Sequence, residues 1–154
     1  MRLTSQVRYA VLAVLDMAYH DVGTPSQAKT ISSRQGIPPR YLEQIFQRLV
    51  RGGILRSKRG PRGGYTLARP PGRVTIGDII RATEGSLAGL FGGGIGGPRR
   101  AGNGPGPSPE GEKVWNVVVG RVADALETLT IEDLVRTAEE LGVEREAAGN
   151  MYFI

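Results

Sequence analysis

Across residues 85–111, eleven of 27 positions are glycine and four are proline. Glycine loses the most backbone freedom on ordering and proline removes a hydrogen-bond donor, so no regular helix or strand is expected to run through that stretch. Residues 87–108 therefore read as a flexible loop, with an N-terminal unit at 1–86 before it. Helices at 109–141 and a tail at 142–154 follow. Charge divides at nearly the same place. Residues 1–85 carry fourteen Lys/Arg against five Asp/Glu, a net of +9, whereas residues 86–154 carry six against ten, a net of −4. A basic unit joined to an acidic one suggests that the first meets a polyanion. Basic residues that only keep a surface soluble account for the same count.

The chain has 154 residues, enough for one core with an appendage, and no cysteine. That composition excludes disulfides, zinc–thiolate sites and iron–sulfur ligation by cysteine. No metal and no cofactor is expected. The first residues lack the shape of a signal peptide, because Arg8, Asp16 and His20 interrupt the apolar positions. No apolar run approaches the roughly 20 residues of a membrane span. The expectation is a soluble cytoplasmic protein with no membrane contact.

Periodicity and capping residues place a series of helices and two short strands. Thr4 caps a first helix whose apolar positions are Val7, Ala10, Val11, Val14, Leu15 and Ala18. Ser26 is expected to cap a short second helix at 27–34, stopped by Gly36. Pro38 and Pro39 open a third, to about Arg51, with Leu42, Ile45, Phe46 and Leu49 facing inward. Residues 54–58 and 65–68 read as strands around the loop Arg59-Gly60-Pro61-Arg62-Gly63-Gly64. Thr75 and Asp78 form a capping box for a fourth helix to about Glu84. Ser108, Pro109 and Glu110 start a long helix to about Thr128, roughly 30 Å at ~1.5 Å per residue. Thr130 and Asp133 cap a further helix ending near Leu141.

Two helices, a turn, a third helix and a basic hairpin make a DNA-reading arrangement. Pro39, Arg40, Tyr41, Glu43, Gln44 and Gln47 lie toward the start of the third helix, where side chains reach base edges in a major groove. Arg59 and Arg62, at a glycine-rich tip, suit a narrow minor groove. Arg48, Arg51 and Lys58 suit phosphates. The plainer alternative is a basic hairpin in a protein-interaction module that meets no nucleic acid. In the long helix Val114, Trp115, Val118, Val122 and Leu126 are apolar on more than one face, as expected where a second subunit packs. Enzymatic chemistry finds no support. There is no cysteine nucleophile, His20 is the one histidine, and no Lys-Ser/Thr pair ends the glycine run at 92–97.

Arg2-Leu3-Thr4, Arg8-Tyr9-Ala10, Tyr41-Leu42-Glu43-Gln44, Arg59-Gly60-Pro61-Arg62-Gly63-Gly64-Tyr65 and the run at 78–85 together resemble the Rrf2 family of bacterial regulators. The resemblance implies a mainly α fold with a small β-hairpin wing, a winged helix-turn-helix. It also implies a homodimer through the long C-terminal helix and a palindromic operator in double-stranded DNA. Many members hold an iron–sulfur cluster on three cysteines in the loop after the fourth helix. Here that loop is glycine, proline and arginine, so cluster-based sensing is not expected. Met151, Tyr152, Phe153 and Ile154 are similar to the C-terminal end of the cluster-free, CymR-type members that repress cysteine metabolism. That likeness implies cysteine synthase as a sensor partner, holding the terminal carboxylate in its substrate pocket. The alternatives are a tail folded back on the dimer helices, and a cluster-free regulator that senses a small molecule directly in the dimer cleft.

Overall fold

The computed structural model describes residues 3–91, 106 and 108–146. Its helices are α1 (Ser5–His20), α2 (Ala28–Gln35), α3 (Pro39–Arg51), α4 (Ile76–Glu84), α5 (Pro109–Thr128) and α6 (Ile131–Glu140). Strands β1 (Leu55–Lys58) and β2 (Gly64–Leu67) pair antiparallel, with Leu55 opposite Leu67 and Lys58 opposite Gly64. The fold is mainly α, a helix-turn-helix followed by a two-stranded wing, and both strands begin one residue away from their expected starts.

The helix starts follow side-chain chemistry. Thr4 accepts a hydrogen bond from the Val7 amide, and Ser108 accepts from Gly111 with Pro109 in the first turn. α4 and α6 begin with matching capping boxes, Thr75/Asp78 and Thr130/Asp133. These two starts also lie side by side. The Ile76 amide donates to Leu129 O and the Ile131 amide to Val74 O, both at 2.9 Å. Ser26 departs from expectation. Its hydroxyl donates to Asp21 Oδ2 at 2.6 Å, and the N-cap of α2 is Gln27, which makes no side-chain cap. The helix begins one residue later than expected, at Ala28, which leaves Ser26 outside the cap position with its backbone paired to Tyr65.

The core lies between α1, α3 and α4. Leu42, Ile45, Phe46 and Leu49, at helical spacing on α3, are all fully buried. Burying each such side chain contributes about 1.5–3 kcal/mol. α1 supplies Val7, Ala10, Val14 and Met17, and α4 supplies Ile76, Ile79 and Ile80. One expectation is corrected here. The chain does not become loop at residue 87, because Ala88–Phe91 form a 3-10 turn with Leu90 buried and Leu87 and Phe91 packed on the core. Three apolar residues within five positions outweigh the glycines around them. α6 is the separate helix expected, and it packs back on α1, burying Ile131 and Ala138. Its apolar stripe finds the core of its own chain.

α2 buries only Ile31 fully, with Ala28 packed beside the core, so polar contacts do much to hold it. Asp16, with no side-chain exposure, accepts from Arg34 Nε at 3.0 Å, Arg34 Nη2 at 2.5 Å and Gln35 Nε2 at 2.7 Å. Arg34 Nη2 also reaches Asp21 Oδ2 at 2.7 Å. Burial alone would lower the Arg34 pKa, but hydrogen bonds to Asp16 and Asp21 raise it above its ordinary value. The segment after α6 joins the same cluster. Tyr19 donates to Val143 O at 2.6 Å, the Glu146 amide donates to His20 Nδ1 at 3.1 Å, and Glu146 Oε2 lies 3.5 Å from Arg34. Asp16→Ala leaves Arg34 with one carboxylate fewer in a nearly buried setting. A loss of about 3 kcal/mol is expected, read as a lower urea midpoint with unchanged slope.

Candidate nucleic-acid interface

α3 divides cleanly into two faces. Opposite its buried residues, Pro39, Arg40, Tyr41, Glu43, Gln44, Gln47, Arg48 and Arg51 are all exposed. Proline in the first turn leaves no amide to satisfy there and begins the helix at once after the turn. Two of these residues have work inside the chain. Tyr41 stacks edge-on to Tyr9, ring centroids 5.6 Å apart, and Arg48 Nη1 donates to Thr83 O at 2.8 Å. Arg48, expected at a phosphate, thus also ties α3 to the end of α4.

The wing is fixed to both helices of the motif. Tyr65 packs on Phe46 with ring centroids 4.5 Å apart, and the Ala68 amide donates to Ile54 O at 2.9 Å. Tyr65 and Ser26 exchange both backbone hydrogen bonds at 2.8 Å, which joins β2 to the loop before α2. Glycine is required where these backbones meet. A Cβ on Gly64, at φ +147°, would stand 2.5 Å from Ser26 O, and one on Gly63 would stand 2.1 Å from Lys58 O. At the tip, Lys58, Arg59 and Arg62 are exposed.

α3 and the wing meet around a groove of about 230 Å3 lined by Gln47, Val50, Arg51, Ser57 and Tyr65. Gln47 and Arg51 were expected on such a surface; Ser57 and Tyr65 were not. Their signal was the strand register, since Ser57 pairs with Tyr65, and that pairing is a tertiary fact. Two further exposed cations, Lys29 in the first turn of α2 and Arg56 in β1, entered the sequence count of charge without a place.

On α5, Val114, Trp115, Val117 and Val118 are 68%, 51%, 63% and 46% exposed. Val122 is half-buried, and Leu126, expected at a subunit seam, packs against the core of its own chain. The cause is the contact of α5 with α4, where Arg81 pairs with Glu127 and Asp78. Burial alone would raise the Asp78 pKa, but the Thr75 amide, Arg81 and Arg69 hold it below the usual carboxylate value. Met151, Tyr152, Phe153 and Ile154 lie outside the described residues. Among the described residues no helix is long and apolar enough to cross a membrane.

Residues 3–137 match the Rrf2 family, described as an iron-dependent transcriptional regulator. The chain is 38% identical over 143 residues to the HTH-type transcriptional regulator IscR of Xenorhabdus nematophila, covering 93% of this chain and 84% of that one. Among solved structures it is similar to CymR, the global cysteine regulator of B. subtilis. That likeness has a TM-score of 0.73 and 28% identity, over 89% of this chain and 98% of CymR. IscR of T. potens gives a TM-score of 0.70 and 31% identity, over 99% and 97%.

The family's description raises iron, and the donors here do not fit a thiolate-held cluster. The sequence has no cysteine, and its one histidine, His20, already accepts a backbone amide on Nδ1. Among the described residues no three His, Cys, Asp or Glu side chains stand together as a metal site. With a family match across most of its length and relatives spanning nearly all of it, this protein belongs to the Rrf2 family of winged helix-turn-helix, DNA-binding transcriptional regulators.

Proposed function

We propose that this protein is a homodimeric, cluster-free repressor that binds a palindromic operator in the cytoplasm. The observation that carries the reading is the single exposed surface made by the outer face of α3 and the Arg59/Arg62 hairpin, set against a fully buried inner face. Arg40, Glu43, Gln44 and Gln47 face base edges in the major groove, with Pro39 and Tyr41 at the entry of the helix. Arg59 and Arg62 lie at the minor groove or its rim, and Arg48, Arg51 and Lys58 neutralise phosphates. The second subunit packs on the exposed Val114, Trp115 and Val118 with Val122 beside them. An apolar patch of that kind is unusual on a monomer.

The regulated genes are those of cysteine or sulfur metabolism, and cysteine synthase is the sensor partner. The likeness to the cysteine regulator CymR and the cysteine-free loop support that reading. So does the likeness of Met151-Tyr152-Phe153-Ile154 to the tail of the CymR-type members.

Gln44→Ala is expected to relax base preference at one position at a cost of about 1–3 kcal/mol. Arg59→Ala weakens binding uniformly and reduces the slope of log K against log salt by about 0.9. Fluorescence anisotropy on operator and scrambled duplexes over a salt series reads both. If the two variants match wild type, another surface meets DNA. Val118→Arg places a charge at the subunit seam and is expected to yield monomer or aggregate; sedimentation showing the ordinary dimer moves the interface elsewhere. Deleting Ile154 is expected to abolish binding to cysteine synthase while operator affinity and dimerisation persist. Equal heats of binding for the full-length and shortened proteins overturn the tail reading.

A further inference from the structure

Between the end of α1 and the root of the wing lies a cavity of about 450 Å3. That volume falls within the usual range of small-molecule sites. Its walls are largely apolar, with Met17, Val22, Leu67 and Pro70 among them. Two ionisable side chains line it, Asp21 and Arg69, and their situations differ.

Asp21 is committed to its own chain. Its Oδ2 accepts from Ser26 Oγ at 2.6 Å and from Arg34 Nη2 at 2.7 Å. Arg69 is not. Its Nε is enclosed by the protein, but the side chain as a whole is 38% exposed, and its one ion-pair contact among the described residues, Nη2 to Asp78 Oδ2, is 3.5 Å long. Asp78 is meanwhile held by the Thr75 amide at 3.0 Å and by Arg81 at 2.8 Å. A guanidinium presents a planar fork that matches a carboxylate in geometry and charge. Thr24, Ser26 and Thr66 also line the cavity, but most of its wall is apolar and covers a hydrocarbon body, which an inorganic anion does not have.

We propose that this cavity binds a small organic carboxylate, with its carboxylate on Arg69 and its apolar body along Met17, Val22 and Leu67. The site is distinct from the DNA surface and from the α5 seam. It is nevertheless coupled to the wing through its own wall. Thr66 and Leu67 of β2 line it, and the next residue, Tyr65, exchanges backbone hydrogen bonds with Ser26, which also lines it. A bound carboxylate bears on the junction that sets the wing against α2 and α3. This last step rests on the DNA-binding reading; the binding itself does not.

The test is saturation-transfer NMR and titration of the full chain with 4-methylpentanoate and with its primary amide, which keeps the shape and loses the charge. A fragment of this size is expected to bind with a Kd of about 1 mM. The amide is expected to bind at least about tenfold more weakly. Arg69→Gln should bring the acid down to the level of the amide, and Arg69→Lys should retain part of the preference. Melting curves and dimer mass establish that both variants fold. Equal affinity for acid and amide, or an acid preference that survives in Arg69→Gln, overturns the site. So does the absence of transfer from either probe at about 10 mM, tenfold above the expected Kd. A change in operator affinity on adding the acid, lost in Arg69→Gln, supports coupling to the wing. An unchanged operator affinity with the carboxylate bound overturns the coupling and leaves the site standing.

Discussion

Asp16 stands in α1 with its side chain out of water, and a carboxylate there must be paired. Arg34 meets it with two nitrogens and then passes to Asp21, which receives the Ser26 hydroxyl. The backbone of Ser26 in turn pairs with Tyr65 of the wing. One connected set of polar contacts therefore runs from the middle of α1, through α2, to the base of the hairpin. α2 has a single buried apolar residue, so this set does for it what hydrophobic packing does for α3. Removing any member unbalances a charge whose alternative is an unpaired group in a nearly dry place.

The consequence for function is geometric. The proposed reading of DNA by α3 requires its outer face and the wing tip to hold a constant relation, and three contacts set it. Tyr65 lies on Phe46, Ser26 bridges to Tyr65, and Gly63 and Gly64 allow backbones to approach where any Cβ would collide. The C-terminal segment reaches the same cluster through Tyr19, His20 and Arg34. Residues 143–146 are thus physically adjacent to α2, the helix that supports α3.

Local signals in the sequence were strong wherever a neighbour in sequence supplied the chemistry. The two Thr-x-x-Asp boxes, the Ser108-Pro109 start and the inward stripe of α3 all depend on partners within a turn or two, and all appear where the residues put them. The misread positions depended on distant partners. Ser26 is held by Tyr65 of the wing and Asp21 rather than capping α2, and Leu126 turned to its own core. Arg48 carries a role in the packing of α4 that no pattern in its own helix displays. Leu87, Leu90 and Phe91 sit in glycine-rich sequence and are still packed, because the core offered them a surface.

By itself the sequence determined the class of molecule. The amphipathic period of α3, the turn chemistry of the basic hairpin and the split of charge between the halves point to a small DNA-reading domain, and the resemblance of its motifs to the Rrf2 family selects that reading over a protein-interaction module. The lack of cysteine removes thiolate ligation from it, whatever the fold. Those are properties of residue type and short spacing, which physical chemistry reads without a third dimension. Only the tertiary structure decided that Asp16 would be paired by Arg34, and that Arg69, with one long ion pair among the described residues, would line a largely apolar cavity. Pairing and burial belong to residues far apart in the chain. No periodicity records which of the many basic side chains will meet an acid and which will wait for one.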